Sequence, residues 1–270
     1  MSDAYDLDSG PDLTAFAASV SESELMAESR SSSDPGSPPT PVHAVGIGPG
    51  NPEYLTPRGG RAIRESEVLV GFETVVESIR ETAERSDTDL LTCGYREESQ
   101  TLETFADRVA SGERGAAVLM GDPNFSGYQF LGKVQRAVGA PARIVPGISS
   151  LQIAASRART PMEDSSFVTL HKSGAIESDL DRLRAVVGER HLLVLPRPYD
   201  WMPGDIAADL LDAGTSESLE ALVFEELTHD EENVTRTTLG DLASHAGGRG
   251  REATPFSDLS VLVVRAKRPS

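Results

Sequence analysis

The chain has 270 residues, 38% of them hydrophobic, which suits one large globular domain or two small ones with a proper core. Its net charge of −18 argues against nucleic acid as a partner, because a phosphate backbone would be repelled by most of the surface. One cysteine, Cys93, excludes an internal disulfide, and five scattered histidines with no pair at metal-ligand spacing give no zinc signature.

The first ten residues, MSDAYDLDSG, are acidic where a secretory signal needs positive charge and then an apolar run. No stretch approaches the ~18 consecutive apolar residues of a membrane helix. The reading is a cytoplasmic protein with no membrane partner. Residues 1–41 carry eight acidic residues against one basic, Arg30, and end in the Ser/Pro/Gly-rich SRSSSDPGSPPTP. Such a segment lacks the apolar residues to offset its ordering entropy, so a disordered acidic tail is expected. Basic residues are 22 Arg and only 3 Lys, and the acidic, lysine-poor surface reads either as salt adaptation, a halophile, or as that of a merely acidic mesophile.

Residues 42–47 read as a buried strand that runs into a loop bearing Gly46, Gly48 and Gly50, after which Thr56 and Pro57 supply the N-cap and first position of a helix over 57–66. The loop fits neither familiar nucleotide motif. Asn51 stands where the dinucleotide fingerprint needs its third glycine, Pro49 removes an N–H that a pyrophosphate would use, and no Gly-Lys-Ser/Thr follows. The glycines therefore point to close backbone contact with a ligand that is not a polyphosphate, with a tight strand-to-helix turn as the alternative.

Further strands are predicted at 68–70, 89–92, 116–120 and 142–145, and helices at 73–85, 102–111 and 127–138. Alternation of this kind implies a parallel sheet covered by helices. The strand ends at Gly121-Asp122-Pro123 and at Pro146-Gly147-Ile148 join the first glycine loop as three glycine-bearing turns. Ligands of open α/β sheets lie outside the carboxyl ends of strands, so these loops are expected to converge on one crevice. A helix over 151–159, a strand over 167–170 and the sequence His171-Lys172-Ser173-Gly174 lead to a boundary near 174–179. Beyond it come helices at 180–187, 204–212 and 239–246, and strands at 191–195, 220–224, 234–238 and 259–265, the last four forming a mixed, partly antiparallel sheet.

GIGPGNPEYLTPR is similar to the opening motif of the tetrapyrrole methylases, which bind S-adenosylmethionine. MGDPNFSGYQFLG, PGISSLQIAASRARTPMEDSSFVTLHKSG and FEELTHDEENVTR narrow the resemblance to the branch that methylates cobalt-precorrin-7 in cobalamin synthesis. The resemblance spans residues 42 to about 265 and implies two α/β domains, 42–174 and 175–270, with an active-site cleft between them, following the tail of residues 1–41. It implies transfer of a methyl group from S-adenosylmethionine to a ring carbon, carbon 5, of a corrin precursor. Sister methylases acting on another tetrapyrrole or on a modified protein histidine, or a catalytically silent subunit, are the rival readings. A homodimer is the expected assembly. Methylation of a second ring carbon would need a separate decarboxylating methyltransferase as partner.

The same resemblance places Gly48, Pro49, Gly121, Asp122, Phe125, Ser149 and Ser150 at the cofactor. Asp122 would favour the sulfonium and ammonium charges, though an aspartate before proline also caps turns. Ser149 and Ser150 read as helix N-caps as well, and both roles coexist because a cap uses one lone pair. Met120 replaces the family's usual Ser before Gly-Asp-Pro, and Lys172-Ser173 replaces its usual Gly-Arg after Leu-His. Arg58, Arg96, Arg157, His171 and Lys172 lie near the crevice loops and are candidates for the substrate's carboxylates, their alternative being ordinary structural or surface roles. Neither a catalytic base nor a metal ligand is identified. Glu225, Glu226 and Glu232 belong to a charge run that reads as a solvated loop.

Overall fold

The computed structural model describes residues 41–84, 88–94, 97–125 and 127–267, so the acidic tail, apart from Pro41, lies outside the described residues. The fold divides between Ile148 and Ser149 into two compact units, each built on one five-stranded sheet.

The first unit runs β1 (His43–Gly46), α1 (Pro57–Glu65), β2 (Val68–Phe72), α2 (Glu73–Glu84), β3 (Asp89–Cys93), α3 (Glu98–Ala110), β4 (Gly115–Leu119), α4 (Tyr128–Val138) and β5 (Arg143–Val145). Its strands are all parallel, in the order β3-β2-β4-β1-β5. Strand periodicity sends alternate residues to opposite faces, and both faces are apolar. Ala44, Val68, Val70, Ala117 and Leu119 pack with Leu102 and Phe105 of α3 and Leu131 and Val134 of α4. Val45, Leu69, Ala116 and Val118 pack with Ala62 and Ile63 of α1 and Val76 and Ile79 of α2. Burial on two faces explains why these strands read as continuous apolar runs. Helix α1 starts as its sequence requires: the Thr56 hydroxyl accepts from the Gly59 N–H at 3.0 Å, with Pro57 at the first position. A cap of this kind stabilises by about 1 kcal/mol.

The second unit runs α5 (Ser150–Ala158), β6 (Ser165–Thr169), α6 (Glu177–Val186), β7 (His191–Leu195), α7 (Pro203–Asp212), β8 (Glu220–Glu225), β9 (Asn233–Thr238), α8 (Leu239–Ala243) and β10 (Ser260–Val264). Its sheet order is β6-β7-β10-β8-β9, with β6 and β7 parallel and the other pairs antiparallel. One face buries Leu192, Val194, Val223 and Leu262 against Leu183 of α6, Ile206 and Leu210 of α7 and Leu239 and Leu242 of α8. Helix α5 lies against β7 and β10.

The mixed sheet beyond residue 191 is as expected, but it has a fifth strand. β6 is hydrogen-bonded along β7, from Ser165 opposite His191 to Thr169 opposite Leu195, so the change of sheet comes between β5 and β6 and not near residue 174. A strand, a crossover helix and a parallel strand look the same in sequence whichever sheet they join, which is why the change was placed too late. Helix α8 stops at Ala243, short of the expected 246, because His245 and Ala246 bond back to Leu242 and Ala243 in three-residue turns before Gly247. No helix among the described residues is long and apolar enough to cross a membrane.

Candidate active site

In the first sheet, β1 leads through α1 across β4 to β2, whereas β4 leads through α4 across β1 to β5. The two neighbouring strands thus send their connections to opposite sides, which opens a crevice at their carboxyl ends. The loops after β1 and β4 meet there. Gly121 N–H donates to the Gly48 carbonyl at 2.7 Å, Gly48 N–H donates to the Gly121 carbonyl at 3.3 Å, and Ile47 N–H donates to the Leu119 carbonyl at 3.0 Å. The loop after β5 joins them, since Gly147 N–H donates to Asp122 Oδ2 at 3.0 Å. The expected convergence of three loops is present within this unit.

The glycines serve this convergence directly. A Cβ on Gly147 would lie 2.1 Å from the Gly121 carbonyl oxygen, and one on Gly46 would lie 2.5 Å from the same atom. Backbone fills those positions, so loop packing against loop requires glycine there. Gly48 has φ +90°, and a Cβ on it would sit 3.1 Å from the Tyr54 carbonyl. The sequence offers ligand contact or a tight turn for the glycines of the first loop, and the packing of loop on loop at Gly46 and Gly147 is a third role. The signal was available: each of the three loops carries a glycine next to or near a proline, Pro49, Pro123 and Pro146.

Asp122 holds its own turn as well as Gly147. Its Oδ1 accepts from the Asn124 N–H at 2.8 Å and from Asn124 Nδ2 at 3.1 Å. A carboxylate offers about four lone-pair positions, so with these three donors roughly one remains, together with the negative charge. Phe125 is half-buried in the same turn, and its N–H donates to the Asp122 carbonyl at 2.9 Å. Met120 is exposed at 38%, an apolar side chain open to solvent at the end of β4. Arg58 is half-buried in the first turn of α1. Arg96 lies outside the described residues.

Other candidates belong to the second unit. Ser149 caps α5 in a capping box: its Oγ accepts from the Leu151 N–H at 3.3 Å, and its N–H donates to Gln152 Oε1 at 2.8 Å. Ser150 is the first residue of that helix. Arg157 pairs with Glu232 at 2.9 Å, and this bond holds the Glu232 carboxyl below its ordinary pKa. Glu232 also accepts from the Thr228 N–H at 2.9 Å, so the acidic run forms an ordered turn and not merely a solvated one. His171 is exposed as a residue, yet surrounding protein desolvates its imidazole. That desolvation lowers its pKa, Arg197 lowers it further, and Asp258 opposes both. Lys172 corrects an expectation: its side chain is 8% exposed and forms an ion pair with the equally buried Asp179. Its charge balances a carboxylate that would otherwise be stranded in the fold and is not held out for a ligand.

A shallow depression of about 410 Å³ in the second unit is lined by Asp200, Asp205, Asp209 and Trp201 among others. Three of its four aspartates have partners, with Asp200 on Arg249, Asp205 on the Gly247 and Gly248 amides and Asp209 on Arg184. It therefore ranks below the loop convergence as a site.

The family model for tetrapyrrole (corrin/porphyrin) methylases matches residues 41–243, which include every one of these loops. The chain belongs to the tetrapyrrole methylase family. It is an S-adenosylmethionine-dependent methyltransferase of that family. This methylase is similar to a probable cobalt-precorrin-7 C(5)-methyltransferase of Methanocaldococcus jannaschii, 28% identical over 206 residues that cover 75% of this chain and 92% of that protein. Its fold is similar to that of precorrin-6Y methylase from Archaeoglobus fulgidus, with a TM-score of 0.60 and 20% identity over 84% of this chain and 99% of that one. It is likewise similar to uroporphyrin-III C-methyl transferase from Thermus thermophilus, solved with S-adenyl homocysteine, with a TM-score of 0.64 and 20% identity over 83% and 97% of the two chains.

The loops at the switch point of this methylase fit such a donor chemically. Residues 46–51, 120–125 and 146–148 contain no lysine or arginine, and one proline in each loop removes an amide donor. A polyphosphate would find few partners there. A cationic ligand with an apolar portion would meet the Asp122 charge, backbone carbonyls at strand ends, Phe125 and Met120.

Proposed function

We propose that this methylase transfers a methyl group to carbon 5 of cobalt-precorrin-7 in cobalamin synthesis. The observation that carries the proposal is the similarity to a probable cobalt-precorrin-7 C(5)-methyltransferase across 92% of that protein's length. S-adenosylmethionine supplies a methyl already activated on a sulfonium, so no side-chain nucleophile is required of the chain. The residues bind, orient and exclude water, the effects that dominate when both reactants are held in line.

In this reading Gly48, Pro49, Gly121, Asp122 and Phe125 contact the donor, and Ser149 and Ser150 are retained as cofactor candidates from the sequence. Arg58, Arg157 and the loop of His171 meet the carboxylates of the macrocycle, and Arg96 is retained as a candidate from the sequence. A polyanionic substrate approaches an acidic protein without contradiction, because charges more than ~10 Å apart are largely screened at about 0.1 M salt, leaving local charge to decide. The reading keeps the expected homodimer and the separate decarboxylating methyltransferase as partners, both testable by sizing and by co-purification.

The test is turnover with methyl-labelled donor on cobalt-precorrin-7, cobalt-precorrin-4 and uroporphyrinogen III in parallel. Label at carbon 5 of cobalt-precorrin-7, located by NMR, is the expected result. Preferential methylation of either other substrate would reassign the enzyme within the family.

A further inference from the structure

We infer that Glu232 is a resident stand-in for a substrate carboxylate on Arg157, a competitor built into the protein that an incoming tetrapyrrole must displace. Arg157 lies in the last turn of α5, where a cation complements the helix dipole. Its Nε donates to Glu232 Oε1 at 2.9 Å and its Nη2 to Glu232 Oε2 at 3.3 Å, the two-point fork by which a guanidinium takes a carboxylate from any source. The pair is open to solvent, with 48% of the arginine side chain and 22% of the glutamate exposed, so a carboxylate from outside can exchange for the one within.

The glutamate is aimed at the arginine by the turn that carries it. Residues 226–232 join β8 to β9, whose last and first residues, Glu225 and Asn233, lie opposite each other in register. Within that turn Glu226 has φ +49° and Thr228 has φ +74°, left-handed conformations that a β-branched residue adopts only at a cost. A set of bonds offsets the cost and leaves the turn one shape. The His229 N–H donates to the Glu226 carbonyl at 3.0 Å, the Glu232 N–H donates to the His229 carbonyl at 3.1 Å, and the Ser257 hydroxyl donates to Glu226 Oε1 at 2.6 Å. The strained Thr228 gives its N–H to Glu232 Oε2 at 2.9 Å. Arg157 foremost, and the Thr228 amide with it, hold the Glu232 carboxyl below its ordinary pKa against the opposing effect of burial, so the competitor is ionised at neutral pH.

Exchange is cheap because like replaces like. A displaced Glu232 keeps the Thr228 N–H and its solvent-facing edge, so its charge is not stranded, while Arg157 trades one charge-assisted fork for another. The resident carboxylate then acts through the fraction of Arg157 that it occupies, and for an exposed pair this lowers apparent substrate affinity about threefold to fivefold. The effect is selective. A ligand whose carboxylate is placed for the two-point fork displaces Glu232, whereas an ill-placed anion meets a guanidinium that is already neutralised. Glu232 is in this sense a specificity-determining residue, although it bonds to the protein and not to the ligand.

The inference rests on the proposal that Arg157 meets a carboxylate of the tetrapyrrole, and the experiment separates the two. Full-length Glu232→Gln, Glu231→Gln, Arg157→Ala and Arg157→Lys are compared by steady-state kinetics, by calorimetry with cobalt-precorrin-7 and with the donor, and by melting. Glutamine keeps an acceptor for the Thr228 N–H but carries no charge. Glu231→Gln removes an equal, exposed charge from the preceding residue, which has no bond to Arg157 among the described residues. Glu232→Gln is expected to lower KM and the dissociation constant for the tetrapyrrole about threefold to fivefold, with kcat and donor affinity within about twofold, while Glu231→Gln leaves all four within about twofold. Arg157→Ala should raise KM about tenfold or more, and Arg157→Lys, which keeps the charge and loses the fork, should raise it less. Should Arg157→Ala fail to fold, Arg157→Lys carries the same comparison. Raised KM in the Arg157 variants with unchanged or raised KM in Glu232→Gln would overturn the stand-in role alone. An equal fall of KM in Glu231→Gln would reduce the effect to long-range charge and overturn that role as well. Unchanged KM in both Arg157 variants would overturn the reading on which it rests. A parallel loss of kcat, donor affinity and melting temperature in Glu232→Gln would make Glu232 a structural residue.

Discussion

At the scale of single residues, the recurrent surprise is that groups suited to a ligand are first committed to the protein. Asp122 accepts from Asn124 and from the Gly147 N–H, which ties the second loop of the switch point to the third. Asp122→Asn would turn an amide donor towards the Gly147 N–H or lose the bonds to Asn124. Bonds to a charged acceptor are worth about 1.5–3 kcal/mol, so melting and donor affinity should fall together. A loss of affinity with unchanged melting would assign Asp122 to the ligand alone. His171 was legible as a substrate candidate but not as a perturbed group, since desolvation depends on neighbours that sequence does not place. Its pKa is lowered from 6.5. A lowered histidine binds its proton less well folded than unfolded, so its contribution is intact above about 6.5 and is lost as pH falls from there through the folded value. An NMR titration, assigned with His171→Gln, should give a midpoint below 6.5, and a midpoint at or above it would show the ring to be more open than described. Lys172 carries the same lesson in reverse. The sequence offered Lys172 as a candidate for the substrate's carboxylates, but only burial reveals that Asp179 claims its charge.

At the scale of elements, strands were read well because burial on both faces leaves no ambiguity in runs such as Gly115–Leu119. Thr56-Pro57 fixed the start of α1 to the residue, since a cap is local chemistry. The sheet to which β6 belongs was not legible. Hydrogen bonds between β6 and β7 join positions about 26 residues apart, as in Ser165 opposite His191, and nothing local to Ser165–Thr169 distinguishes one parallel neighbour from another. The difference has a physical consequence. A fragment ending at Gly174 keeps β6 without β7 and so exposes an unpaired strand edge and the buried face of Val168, a template for aggregation. A fragment of residues 41–148 keeps the whole first sheet with helices on both faces. The shorter fragment should unfold cooperatively and remain monomeric by sizing, while the longer one should associate or show lower solubility. Equal behaviour of the two would mean that β6 is sheltered without its partner strand.

At the scale of the whole molecule, charge is the dominant feature, and its effect on stability has a definite sign. Net charge is −18, with seven of those charges on the first 41 residues, and many described ion pairs are made by arginines at the surface. Added salt does two opposing things. It screens the self-repulsion of an acidic surface, which favours the compact state, and it weakens exposed pairs such as Arg80 with Glu77. Exposed pairs contribute only about 0–1 kcal/mol each, whereas repulsion sums over every unbalanced carboxylate. The buried pair, Lys172 with Asp179, is shielded from ions and changes least. Repulsion should therefore win. At about 1 M salt the screening length shrinks to about 3 Å, and melting in molar KCl should shift upward relative to 0.1 M. Removal of residues 1–41 should reduce that upward shift, because it removes uncompensated charge, without moving the midpoint by several degrees at high salt, where that charge is screened. A melting temperature that falls steadily with KCl would show that surface pairing outweighs repulsion and would remove salt adaptation as the meaning of a lysine-poor, acidic surface.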